Sequence, residues 1–559
     1  MKKMIYGAAL LMAVMTSGCS DFLDQDNRSN IPSEDFYKTK TGFESLVNCA
    51  YSSLRDTYGG DPWVFSAGTD LYGTGKAPGD IIGLYGSGYN SSDKDVRDFY
   101  MNCYKGIQLA NSVIYYGAKT ESSSVRTQYL DEARFLRAYY YYLLVQQFGG
   151  VALNTEMFDA AVMSHQRESA EKIYEFVISE FTALATNSSL LDRASASGNN
   201  FGRANKEAAY HFLAKTYLAR GYETFGTKQD FQKAAEMAEK AINSKQLTLA
   251  FSDVFNIDNE ENEEILWSVQ YSKETLQDAM ADGNKQQSEF GVYLGNANEG
   301  HKYMTGYLTP TLHLHQLFKE GDSRYEATFM TEVLTHYYDF YKADKSGSEV
   351  LYYYAPAWAD TTAWRNDANA PCSRAKAKII MMTDRSLDKF GIETSYRDKV
   401  ADDHGVATIR KFDDPASGFS TTSSTHDIIL ARLGETYLVA AEAYIKNDEP
   451  AKAKVKVDAV RKRAALPGYD LSVKQAQVTG EAGIDFILEE RARECAGEYH
   501  RWMDLKRTGR LIDYVTRYGH DNIQASDFVG TDGQNKILRP IPLDAINKND
   551  AVIVQNPGF

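Results

Sequence analysis

Residues 205–242 read NKEAAYHFLAKTYLARGYETFGTKQDFQKAAEMAEKAI, two blocks with apolar residues at helical spacing, parted by Gly221 and Gly226. This predicts a helical hairpin. The design returns at 429–463, where Leu213 to Leu218 (LAKTYL) aligns without a gap on Leu433 to Leu438 (LGETYL) and Ala451 to Ala465 supplies a second Ala-rich helix. The two copies stand about 220 residues apart. A helix pair of this kind cannot bury its apolar face alone, so such pairs must stack on one another, and the expected fold class is mainly α.

Small Ala and Gly at the helix contact, with Tyr beside them, resemble the tetratricopeptide unit. Two further helices are expected. Residues 128–148 (QYLDEARFLRAYYYYLLVQQF) stop at Gly149-Gly150, and the Tyr139 to Tyr142 run covers every face, so this helix should lie in the core. Residues 173–184 place Ile173, Phe176, Val177, Phe181 and Leu184 on one face. Between the two repeat copies the texture changes: residues 265–380 are rich in Gly, Asn, Thr, Tyr and Trp, with weak periodicity after a strand-like Ile265 to Val269. Residues 59–92 behave alike, and both are expected to be irregular segments carrying function on a rigid scaffold.

The chain opens with Met1-Lys2-Lys3, an apolar run from Met4 to Met15, then Thr16-Ser17-Gly18-Cys19. The run is shorter than the roughly 20 residues of a spanning helix, which predicts a secretory signal peptide over 1–18. A Cys at the cleavage point resembles a bacterial lipobox, with Thr16 where Leu is usual, and Cys19 would then carry a lipid. Loss of 1–18 removes Lys2 and Lys3 and takes the net charge from −15 to −17. An acidic chain of this kind excludes nucleic acid as a natural partner. The other cysteines, Cys49, Cys103, Cys372 and Cys495, have no metal-ligand spacing; small buried thiols or a Cys49–Cys103 bridge are the readings open.

Catalytic motifs are missing: there is no Gly-x-Ser-x-Gly, no His-Glu-x-x-His and no phosphate loop. Helical spacing puts Glu490, Glu494 and Glu498 on one face, with Arg491, Arg493 and Arg501 interleaved to pair with them and Trp502 packed beneath, a structural arrangement rather than an acid/base site. His313 and His315 are expected to face solvent, and 258–264 (DNEENEE) to be a solvated turn. No metal and no cofactor is expected.

Four stretches carry a family resemblance: EARFLRAYYYYLLVQQFGGVAL (132–153), ILARLGETYLVAAEAY (429–444), ILEERARECAGEYHRWMDLKRTG (487–509) and ILRPIPLDAINKNDAVIVQNPGF (537–559). Their order and spacing, and the lipoprotein start, resemble the SusD/RagB family of outer-membrane nutrient-binding lipoproteins. Cys495-Ala496 stands where that family has a bulkier apolar pair. The resemblance implies a tetratricopeptide-like helical scaffold with a loop-rich, irregular, ligand-facing half, 19–240 and 241–559 packing as one unit. It also implies a non-catalytic protein anchored in the outer membrane and facing the exterior, which captures nutrient for a SusC/RagA-like TonB-dependent transporter barrel. Oligo- or polysaccharide is the leading ligand, oligopeptide the alternative, and a glycoside hydrolase the distant third. A glycan site needs rings for sugar C–H faces and polar groups for hydroxyls. By location, the candidates are Trp63, Tyr72, Tyr85, Tyr89, Tyr293, Tyr303, Trp358 and Trp364, with Asn90, Asp93, Asn366 and Asp367 beside them.

Overall fold

The computed structural model describes residues 33–60, 62–74, 81–158, 160, 162–272, 283–290, 300, 304, 306–383, 407–415, 417, 423–519 and 522–559. The signal segment, Cys19, Tyr293 and Tyr303 lie outside the described residues. Ten helices form the frame: α1 Lys40–Tyr58, α2 Lys94–Gly117, α3 Ser124–Phe148, α4 Ala170–Thr186, α5 Lys206–Tyr222, α6 Lys228–Ile242, α7 Leu433–Lys446, α8 Pro450–Ala464, α9 Gly480–Glu494 and α10 Arg501–Arg507. Each of α1 to α7 packs on the next, and α7 packs on both α8 and α9. The stack therefore continues from α6 to α7 across an insertion of residues 243–432. None of the helices is long and apolar enough to cross a membrane, among the described residues.

Small residues set how closely the helices approach. A Cβ on Gly106 of α2 would lie 2.1 Å from the Tyr140 ring of α3, and one on Gly221 would lie 2.7 Å from Phe231. The α3 run is buried as expected, and three of its hydroxyls are hydrogen-bonded: Tyr139 meets the Tyr58 hydroxyl at 2.5 Å, Tyr140 meets Ser53 Oγ at 2.8 Å, and Tyr141 donates to the Asn154 carbonyl at 3.0 Å. A buried phenol without a partner would forfeit its desolvation energy, so these contacts determine which face each ring takes.

The two helix-pair copies meet at equivalent positions. Lys215 Nζ pairs with Glu435 Oε1 at 2.6 Å, the Tyr222 hydroxyl donates to Glu442 at 2.8 Å, and Lys228 pairs with Asp448, each pair 220 residues apart. The alignment offset is thus also the contact offset, with base or phenol in the first copy and acid in the second.

The ends of the insertion are tied together. Strand β2 (Ile265–Val269) pairs antiparallel with β7 (Ile428–Arg432), Val269 opposite Ile428, and β7 runs directly into α7. Between them lie β3 (Leu308–Pro310), which pairs with β1 (Tyr72–Thr74), and a three-stranded sheet in the order β4 (Glu332–Leu334), β5 (Val350–Ala355), β6 (Lys378–Met381). β4 is antiparallel to β5, and β6 is parallel to it.

Candidate ligand-binding face

The ring-bearing segment 62–89 folds inward, which corrects four of the expected ligand residues. Trp63, Tyr72, Tyr85 and Tyr89 are all buried. Trp63 packs edge-on to Tyr307, Tyr72 lies 4.9 Å from Phe290, Tyr85 stacks on Phe528 at 3.9 Å, and Tyr89 packs edge-on to Phe559. Their hydroxyls are taken as well: Tyr72 accepts from the Gly497 N–H, Tyr85 donates to the Gly68 carbonyl and accepts from Trp502 Nε1, and Tyr89 accepts from Arg539. Burial pushes the Tyr85 phenol up to about 12. Rings enclosed in this way offer no face to a sugar. Irregular backbone did not mean exposed side chains here, because the hydrophobic gain of enclosing a ring is non-directional and needs no regular secondary structure.

The polar companions of that segment serve the backbone. Asp93 caps α2, accepting from the Asp95 and Val96 N–H groups at 3.0 Å. Asn90 is exposed and holds a turn through the Ser92 N–H. In the insertion, Trp364 is half-buried and its indole is engaged, with Tyr353 stacked at 4.0 Å and the Arg374 guanidinium 4.7 Å from its centre. Its Nε1 donates to Glu332, which also pairs with Arg374. Asn366 and Asp367 follow it on an exposed turn, Asp367 lying 3.6 Å from Arg374. Trp358 is half-buried, with Tyr325 against it edge-on at 5.2 Å. Of the described candidate rings, Trp358 and Trp364 keep partial exposure.

A second group of rings went unnoticed in the sequence. Tyr337–Tyr341 (YYDFY) forms a short 3-10 helix beside β4. The hydroxyls of Tyr337 and Tyr341 and the carboxamide of Gln287 converge on the buried carboxylate of Asp413, Tyr337 at 2.9 Å and Gln287 at 3.1 Å. Burial pushes the Asp413 carboxyl up to about 6, against the pull of these three donors. Tyr338 donates or accepts at Ser417 and accepts from Gln287 while staying half-buried, and Tyr341 is 38% exposed. The Arg410 guanidinium lies 4.8 Å over Phe340 and donates to the Glu326 carbonyl, next to the Tyr325 that meets Trp358. Four rings within five residues, inside a segment already marked as irregular, was the signal that could have found this face.

The acidic block is structural in every described contact. Glu494 receives Arg324, Arg432 and Arg463; Glu490 receives Arg324, Arg461 and Arg493; Glu498 receives Arg432 and Lys411. Burial opposes ionisation of Glu494, but Arg463, Arg432 and Arg324 overrule it and hold the carboxyl far below the usual range. Arg493 pairs with Glu490 as expected, and Arg491 with Asp504 further along the same block. Arg491 also goes to Glu435, and Arg501 to Asp70. Trp502 is buried against Arg539, 4.2 Å away. Cys495 lies 3.7 Å from the Arg432 guanidinium, so the small Cys495-Ala496 pair borders the ion cluster.

Other expectations need correcting. His313 and His315 do not face solvent: His313 stacks on Tyr518 at 3.9 Å and His315 packs on Phe329 at 4.0 Å, and burial lowers them to about 4 and about 3. Glu264, at the end of the acidic turn, is buried and paired with Arg463. The four described cysteines are free, and Cys49 is exposed rather than buried. Among the described residues no group of three or more His, Cys, Asp or Glu side chains is placed to hold a metal.

Comparison with known proteins agrees with this architecture. Residues 263–559 match the model of the SusD family, and residues 21–218 match a SusD-like family described as starch-binding and associating with the outer membrane. SusD-like protein P25 of Formosa agariphila is 24% identical over 562 aligned positions, covering 96% of this chain and 95% of that one. The crystal structure of a SusD homolog from Bacteroides thetaiotaomicron superposes with a TM-score of 0.71 at 18% identity, over 94% of this chain and 98% of that one. A laminarin-binding SusD-like protein gives a TM-score of 0.64 at 21% identity, over 94% of this chain and all of that one. The chain belongs to the SusD family.

Proposed function

We propose that this member of the SusD family is a cell-surface lipoprotein, tethered through Cys19, which captures oligo- or polysaccharide and passes it to a TonB-dependent outer-membrane transporter of the SusC/RagA type. One observation carries the reading: a SusD-family scaffold presents partly exposed rings at Tyr338 and Tyr341, with the Arg410 guanidinium over the neighbouring Phe340, and a further half-buried ring at Trp358. Sugar C–H faces stack on such rings while a neighbouring guanidinium takes hydroxyls. The laminarin-binding relative supports a glycan as ligand. The protein works without catalysis, because a glycosidase needs two carboxylates set across a sugar, whereas Glu490, Glu494 and Glu498 are buried and neutralised by cations. Residues 19–240 and 241–559 act as one unit, a reading supported by the packing of α6 on α7.

Calorimetry and affinity gels with the protein from Cys19 onward, across a panel of polysaccharides, test the ligand class. Binding to at least one glycan is expected, weakened by Tyr338→Ala with Tyr341→Ala. Binding to oligopeptides and to no glycan would overturn the saccharide reading. Lipid attachment is tested by labelling cells with an alkynyl fatty acid: the label should be lost in Cys19→Ser.

A further inference from the structure

Away from the aromatic face, a groove of about 350 Å³ runs between α1, the loop 199–203 and the end of β2. We propose that it is a second binding site, for a carboxylate-bearing saccharide such as a uronate or sialate unit.

Charge is the first argument. The chain carries a net charge of −15, yet the described residues that line this groove include Arg55 and Arg203 and no acidic side chain. Glu132 neutralises Arg203 from behind, so Arg55 supplies the net positive charge of the groove, and a local positive charge on an acidic protein selects anions from its surroundings.

The second is how the two guanidiniums are held. Arg55 donates from Nε and Nη2 to the Gln270 carbonyl, at 2.9 and 2.7 Å, and lies 5.1 Å over the Tyr271 ring. Arg203 donates from Nη1 to Glu132 at 2.7 Å and lies 4.7 Å over Tyr129. Arg55 is thus fixed along its Nε/Nη2 edge and Arg203 at both Nη groups, since its Nη2 donates to Asn48 Oδ1 at 3.4 Å, and Arg55 Nη1 and Arg203 Nε have no protein acceptor among the described residues. A planar guanidinium already ordered in this way binds a carboxylate with little further loss of side-chain entropy.

The remaining wall suits a sugar ring. Phe201 is half-buried in the groove, and the exposed carboxamides of Asn48 and Asn199 stand at its rim. The ring can take a sugar C–H face and the carboxamides its hydroxyls. The volume lies at the lower end of ligand sites, which fits a short or terminal saccharide unit rather than a long chain.

The experiment uses the whole protein from Cys19 onward, with digalacturonate, N-acetylneuraminate, maltose and inorganic phosphate as probes, read by ligand-observed NMR and calorimetry. At least one of the two acidic saccharides should bind saturably and maltose should not bind in this groove. Arg55→Gln and Phe201→Ala should each weaken that binding about tenfold or more, the loss of one charge-assisted contact or one stacking face. Both should retain the wild-type far-UV circular dichroism; Arg203 is left intact because Glu132 behind it is buried. Tyr338→Ala with Tyr341→Ala should leave acidic-saccharide binding unchanged, which separates this site from the face proposed above. Absence of saturable binding by either acidic saccharide, indifference to both groove substitutions, or phosphate binding as tightly as the saccharides would each overturn the proposal.

Discussion

Two tyrosine-rich runs of nearly equal length end up in opposite circumstances. Tyr139 to Tyr142 lie inside a regular helix with all four rings buried and their neighbours on α1, α5 and β2. Tyr337, Tyr338 and Tyr341 lie on one turn of 3-10 helix in the insertion, where two hydroxyls gather on a single carboxylate and the third ring turns partly outward. The first arrangement spreads phenols among neutral partners in several directions and so fixes how helices pack. The second draws phenols to one point and leaves ring surface outside. Residue type is the same in both; the number of packed layers around the run decides whether a tyrosine is scaffold or ligand surface.

That contrast breaks most sharply in the scaffold. Glu494→Ala takes from the buried Arg324, Arg432 and Arg463 side chains the carboxylate they share, leaving them Glu490, Glu498 and Glu264, and should cost about 3–5 kcal/mol in urea unfolding, while a loss under about 1 kcal/mol would show that the cluster is not what holds α9. Gly106→Ala forces a methyl against Tyr140 and should cost about 1–3 kcal/mol through overpacking, read as a lower melting temperature.

The insertion is expected to respond through pH. Folding raises the Asp413 carboxyl from 3.8 to about 6, so between these values the native state binds more protons than the unfolded state. Its contribution to stability therefore falls as pH rises from about 4 to about 6. Asp413→Asn should remove this loss, so that stability at pH 7 relative to pH 4 is higher in the variant than in the wild type; parallel pH curves would contradict the assignment. The smallest change is expected at the rings themselves: Tyr338→Ala with Tyr341→Ala removes two partly exposed rings and one hydroxyl on Asp413 and should move unfolding by no more than about 2 kcal/mol, while binding to a confirmed glycan weakens. A loss comparable to that of Glu494→Ala would place these rings with the scaffold instead.

The helix pairs were legible because their information is local. Apolar spacing, Ala at the contacts and the Gly stops set α3, α5, α6, α7 and α8 close to where they stand, and the LAKTYL/LGETYL match pointed to partners that touch at the same offset. The pairing of Arg493 with Glu490 was legible too, three residues apart on one helix. The partners of Glu494 and Glu498 were not: Arg324 and Arg432 come from residues 170 and 62 positions away from Glu494. Trp63, Tyr72, Tyr85 and Tyr89 were misjudged for a related reason, since Gly-rich irregular sequence announces a lack of helix and says nothing about depth.

The amino-acid sequence by itself determined that this chain is a stack of helix pairs with long irregular segments, since periodicity and small-residue contacts act over a few neighbours. Only the tertiary structure decided which rings are enclosed and which remain at the surface. It alone joined α6 to α7 across 190 residues, packed Tyr85 and Tyr89 against Phe528 and Phe559, and brought Gln287, Tyr337, Tyr341 and Asp413 together. Burial and buried charge pairing depend on what the rest of the chain places nearby, and no local pattern carries that.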